Sequence, residues 1–220
     1  MTTLHRMKPS TLLRALALSL CLAVSGAGLT AHAAPDSNDD LTLAQNIATP
    51  SAPSNASNAL IRHAQGLGNY FIRKGYKVRY PRKGEVAEII IPSDLLFLPN
   101  TAELRPDASK TLGLFKSLVE RPQLYKLLVV AHTDNTGSPA YSDALTEDRA
   151  MAVFDFLVHL APELSNNITP YGLGFDEPFD TGATVADSNA SIAGRRANRR
   201  VEIYIVPTEQ TIDMARNGKL

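Results

Sequence analysis

The sequence predicts an α/β fold, a two-layer sandwich in which a mixed four-stranded sheet carries its main helices on one face. Segments of helical rhythm alternate with short apolar runs of strand length, and proline or glycine separates them, which is the pattern of a layered α/β domain. Size agrees: 220 residues, 44% hydrophobic and 20% charged, suit one domain of ordinary dimensions with flanking segments outside its core.

Taken in order, residues 59–75 put Leu60, Ile61, Ala64, Leu67 and Phe71 on a helical face, with Gly75 as a stop. Residues 76–80 and 86–91 read as short strands of a hairpin, joined by the turn-rich stretch 81–84. Residues 94–105 are irregular. A helix over 108–119 carries Leu112, Leu114, Phe115, Leu118 and Val119 and ends before Pro122. The apolar run 127–131 is a covered strand. Ser138 then offers an N-cap with Pro139 at the first helical position, predicting a helix to about Leu160 with Tyr141, Leu145, Val153, Phe156, Leu157 and Leu160 inward. Residues 168–173 form a strand, 174–193 a long polar loop, and 201–206 a last strand.

The flanks have their own composition. Arg6, Lys8 and Arg14 precede the apolar run 15–24, and Ala31-His32-Ala33 has the small-x-small pattern of a cleavage point, so 1–33 read as a signal peptide. Residues 34–58, rich in Pro, Ser, Asn and Ala, read as a flexible leader, and 207–220 as a tail. The single cysteine, Cys21, lies within the signal behind the bulky Leu20, where lipid attachment takes a small residue. Disulfides and thiol catalysis are therefore not expected.

One residue breaks the core pattern. Arg149 falls between Leu145 and Val153 on the inward stripe of the long helix, and a guanidinium cannot shed its charge to escape burial. It must meet a carboxylate or an anionic ligand. Asp134, just past the carboxyl end of the 127–131 strand, is the nearest candidate, where open α/β sheets commonly expose a crevice. A plain internal ion pair is the competing account, because structural ion pairs mimic functional ones.

The run His132-Thr133-Asp134, then Gly137, then Leu145-Thr146-x-x-Arg149-Ala150-x-x-Val153-x-x-x-Leu157, resembles the OmpA-like peptidoglycan-binding domain shared by OmpA, Pal and MotB proteins. Phe97-x-x-x-x-Ala102-x-Leu104, Gly172-x-Gly174-x-x-x-Pro178 and Asn198-Arg199-Arg200-Val201-Glu202 extend the likeness across about residues 76–206. Four positions depart from the family's usual residues: Ala131 for Gly, Ser142 for Asn, Thr146 for Ser, and Leu98 where an acid is common. The resemblance implies a periplasmic or envelope protein, with the outer membrane as the site of association that some relatives use, that binds the diaminopimelate residue of the peptidoglycan stem peptide. Asp134 would face the ligand's ammonium and Arg149 would clamp its carboxylate. Thr133, Leu145, Thr146, Asn100 and Arg200 complete the implied ligand set, with Arg199 and Arg200 competing for the last place. The helix over 59–75 is the natural place to look for an envelope protein partner, although packing on its own domain is the plainer account of it. The alternative is a structural adaptor in which Asp134 and Arg149 form a non-binding ion pair.

Other classes fit less well. The formal charge is zero, with 22 basic and 22 acidic residues, so the arginines between Gly194 and Arg200 do not amount to a nucleic-acid site. An enzyme would need His132 as a base beside Asp134, but no metal-ligand spacing or activated nucleophile accompanies it. No cofactor, metal or catalytic residue is expected.

Overall fold

In the computed structural model, residues 53–180 and 182–220 are described. The stretch 1–33 read as a signal peptide and most of the stretch read as a leader lie outside them. Helix α1 (Ser54–Arg73) begins inside the stretch read as leader and buries Ala56, Leu60, Ala64, Gly68 and Phe71, a stripe at four- and three-residue spacing. Gly75, at φ +91°, turns the chain into the sheet.

The sheet has five strands, correcting the expected four: β1 (Lys77–Arg79), β2 (Ala87–Pro92), β3 (Tyr125–His132), β4 (Ile168–Gly172) and β5 (Arg200–Pro207), ordered β1-β2-β5-β3-β4. β1 keeps only three residues, yet it pairs antiparallel with β2 at the edge. β5 is the centre, antiparallel to both β2 and β3, while β3 and β4 run parallel. Parallel pairing requires a crossover, which the long helix supplies.

That helix, α4 (Pro139–Leu160), matches its expected bounds, and the Ser138 hydroxyl accepts from the Tyr141 N–H at 3.3 Å. Its inward stripe is rotated from the expected one. Ser142, Thr146, Arg149, Ala150, Val153 and Leu157 are buried, whereas Tyr141 is 49% exposed. The cause is polar: the Thr146 hydroxyl accepts from the Gly174 N–H at 2.9 Å, fastening the first turns of α4 to the chain beyond β4. Gly172 permits this approach, since a Cβ there would lie 2.2 Å from the Glu147 nitrogen.

The expected helix over 108–119 is broken into α2 (Ala108–Leu112), a 3₁₀ turn and α3 (Lys116–Val119). The expected polar loop contains α5 (Val185–Asn189) and the start of α6 (Ile192–Asn198), capped by Thr184 and Ser191. The tail also folds: Thr208 caps α7 (Glu209–Arg216), whose Ile212 and Ala215 pack against Ala56 and Leu60 of α1. The main core joins Phe71 of α1, Phe115, and Val153 and Leu157 of α4 to the β2, β3 and β5 residues that share one sheet face. Alternation sends Glu88, Glu202 and Tyr204 to the other face.

Candidate functional site

The crevice is built where β3 ends. Thr133, buried, donates its N–H to the Gly174 carbonyl at 2.8 Å, so the chain leaving β3 is held against the chain leaving β4. Asp134 follows. One of its oxygens accepts from the Thr136 N–H at 2.9 Å, and the other is ion-paired with the Arg199 guanidinium. Burial alone would raise this carboxyl, but the Thr136 and Arg199 hydrogen bonds outweigh it and hold the group below its ordinary value. Asn189, itself buried, steadies the loop by accepting from the Asn135 N–H at 3.3 Å.

Arg149 enters from α4 and is 4% exposed. Its Nε donates to the Thr101 carbonyl at 2.9 Å, and its guanidinium lies 5.0 Å from the centre of the Phe97 ring. Buried Nη1 has no hydrogen-bond partner. Burial, and next to it the charge of Arg199, disfavour the cation, while Tyr141 and Asp134 oppose them. Arg149, Arg199, Asp134 and Tyr141 thus lie within electrostatic reach of one another, but no ion pair joins Asp134 to Arg149 among the described residues. Asp134's partner is Arg199, 41% exposed at the junction of α6 and β5.

The other residues expected at the site divide. Asn100, exposed and left-handed at φ 57°, accepts through its carbonyl from the Tyr141 hydroxyl at 3.2 Å and so helps wall the crevice. Leu145 is half-buried. Thr146 is fully buried, and its hydroxyl donates to the Ser142 carbonyl at 2.9 Å while holding Gly174, so it fastens elements together. Arg200 is corrected. Its Nε donates to Glu202 at 2.6 Å and its Nη2 to the Glu177 carbonyl at 3.2 Å, and its guanidinium stacks on Phe179, on the opposite side of β5 from Arg199. Arg199, the bend residue before β5, reaches Asp134, whereas Arg200, the first residue of β5, is held by Glu202.

His132 is likewise structural. It is fully buried, with Nε2 3.3 Å from Glu202, and burial followed by the charge of Arg200 lowers its pKa and keeps it neutral. A base sealed in this way has no access to substrate. Among the described residues no group of three His, Cys, Asp or Glu is placed to hold a metal ion.

The competing account paired Asp134 with Arg149, whereas Asp134 pairs with Arg199; the Thr101 carbonyl and the Phe97 ring had no expected role. Arg199 carried a signal, being one of two arginines opening the last strand, but choosing between them needed the register of β5.

A five-stranded mixed sheet with helices on one face, and a β3–α4 junction carrying an acid and a buried arginine, define an OmpA-like domain. A profile of the OmpA family matches residues 96–199. The chain is 37% identical over 122 residues to the outer-membrane lipoprotein YfiB of Pseudomonas aeruginosa, covering 56% of this chain and 67% of that protein. It is 29% identical over 157 residues to outer membrane protein A of Citrobacter freundii, covering 62% of this chain and just under two thirds, 65%, of that one. Among solved structures, a putative MotB-like protein from Desulfovibrio vulgaris superposes with a TM-score of 0.57 at 24% identity, over 68% of this chain and 94% of its own. The cell wall anchor of the T6SS from Pseudomonas aeruginosa gives 0.52 at 26% identity, over 66% and 96%. The chain belongs to the OmpA family. It is an OmpA-like domain of the periplasm and cell envelope, a class with general peptidoglycan-binding and adaptor roles.

Proposed function

We propose that the crevice formed by Asp134, Arg149 and Arg199 binds the diaminopimelate residue of the peptidoglycan stem peptide and so positions an envelope protein at the wall. The observation that carries this reading is the buried Arg149 Nη1 without a hydrogen-bond partner beside an acid engaged by a half-exposed arginine. Burying a cation is costly unless it is paired, so an unused donor here suits an anionic guest. The free end of diaminopimelate carries an ammonium and a carboxylate on one carbon. Asp134 takes the ammonium by releasing Arg199, and the carboxylate enters between Arg149 and the freed Arg199. Lysine-type stems lack that carboxylate and forfeit the arginine contacts.

The likeness to the T6SS cell wall anchor supports the reading, as does the family's general role. Two charge-assisted contacts at roughly 1.5–3 kcal/mol each reach about 3–6 kcal/mol, the lower end of useful single-site affinity. Repeated stems on one polymer would then retain the protein by rebinding. In the same proposal, residues 1–33 export the chain, 34–58 mostly tether it, and α1 is where a partner protein would meet it, through the exposed Tyr70 and Ile72.

Co-sedimentation with purified sacculi tests this. Asp134→Ala and Arg149→Ala are each expected to abolish pull-down by diaminopimelate-type sacculi with the domain still folded, and the unmodified protein is expected to discriminate against lysine-type sacculi. Retained pull-down by both variants rejects the site. The second reading, an adaptor whose crevice charges serve structure alone, draws on the Asp134–Arg199 ion pair and expects no wall binding at all.

A further inference from the structure

A second concavity lies away from this crevice. It is a cleft of about 290 Å³ between the α1–β1 turn, the end of β2 and α6, floored by Ile90, Pro92, Leu95 and Phe179. Its volume is at the lower end of those that take small organic ligands. Leu95 is 45% exposed, so the floor presents apolar surface to solvent. Phe179 is held from behind: its N–H donates to the buried Asn198 side chain at 2.8 Å, and Lys77, Arg79 and Arg200 stand within 5.1–5.5 Å of its ring centre.

Cations from separate elements ring this floor. Lys74 and Lys77, both exposed, form no salt bridge with any described carboxylate. Arg196 holds Asp94 at 3.0 Å, but the side chains are 68% and 53% exposed, and such a pair is weak enough to exchange partners. Arg200 is spent on Glu202. The rim therefore offers two ammonium groups that meet aromatic rings but no carboxylate among the described residues, and a guanidinium already bound to a carboxylate, which an incoming carboxylate can replace in kind.

We propose that this cleft is a binding site for a small amphiphilic carboxylate, its apolar body on Phe179 and Leu95 and its acid head among Lys74, Lys77 and Arg196. The site is independent of wall binding and shares no residue with the Asp134 crevice.

The test is a titration of the ¹⁵N-labelled protein with 4-phenylbutyrate and with its uncharged amide, followed by amide chemical shifts. The acid is expected to move the amides of Gly75, Lys77, Phe179 and Ala197 saturably, and the amide to bind roughly tenfold more weakly. The double variant Lys74→Ala/Lys77→Ala, at two exposed positions that do not endanger folding, is expected to weaken the acid about tenfold and leave the amide unchanged. No saturable shift at those amides up to about 10 mM overturns the proposal. So does equal binding of acid and amide, or an unchanged affinity in the double variant.

Discussion

Arg199 and Arg200 are neighbours in sequence and opposites in circumstance. Arg200 points into a buried network in which Glu202 accepts from Arg200 at 2.6 Å, Arg79 at 2.8 Å and the Tyr204 hydroxyl at 2.6 Å, with His132 at 3.3 Å. Burial alone would raise Glu202, but His132 and the charges of Arg200 and Arg79 hold it well below its ordinary value. Arg199 faces the crevice, where one carboxylate serves it and a second arginine, Arg149, keeps a buried donor unused. The first cluster pairs its charges internally and leaves over only the buried Nδ1 of the neutral His132, whereas the second leaves a cation over. Charge that is fully satisfied inside the fold serves the fold, and charge left unsatisfied at a crevice is available to a ligand.

The contrast can be tested from its strongest member down. Glu202→Ala leaves Arg200 and Arg79 without their shared carboxylate and is expected to cost about 3–5 kcal/mol in urea unfolding. A loss under 1 kcal/mol would mean the network is not the closed unit described.

Glu88 comes next. Burial, with the nearby charge of Glu202, raises its carboxyl to about 7 despite Arg79. A carboxyl raised above its unfolded value of 4.5 holds its proton longer in the folded state, so its contribution to stability falls as pH rises from about 4.5 to 7. His132, lowered from 6.5, works the other way below that pH, since the unfolded chain then takes up a proton the folded one refuses. The difference between wild type and Glu88→Gln therefore isolates the carboxyl. Melting curves should show the variant gaining on the order of 2 kcal/mol relative to wild type between pH 5 and pH 8. Parallel curves at both pH values would place the titration elsewhere.

In the crevice the expected sign changes. Arg149→Met keeps much of the stem against Phe97 and removes an imperfectly paired buried cation, so thermal stability should stay within about 1 kcal/mol or rise, while sacculus binding is lost. A drop of 3 kcal/mol or more would move Arg149 into the structural class. The smallest stability effect belongs to Arg199→Ala, under about 1 kcal/mol because the guanidinium is half-exposed, with a weakened affinity for diaminopimelate-type sacculi as its main phenotype. Unchanged wall affinity would limit Arg199 to a surface ion pair.

Much of this contrast could be read in the chain itself. An arginine at a leucine's place in a helical stripe, fifteen residues after an acid that ends a strand, announced Arg149 and Asp134 together. Ser138-Pro139 marked the start of α4, because an N-cap hydroxyl and a missing N–H act within a few residues. The short helices α5 and α6 were missed, since polar caps and a single turn carry little periodicity. The tail helix α7 was missed for a related reason: its stability comes from packing on α1, more than one hundred residues earlier.

Local chemistry therefore settled which segments would fold as strands and which charge could not be left alone in the core, because period, caps and residue type act at short range. Which carboxylate met which arginine was settled by the register of β5 between β2 and β3, which sets Arg200 beside Glu202, and by the bend before β5, which carries Arg199 to Asp134. A shift of one position along a strand turns every side chain to the other face, and no nearby residue records that choice.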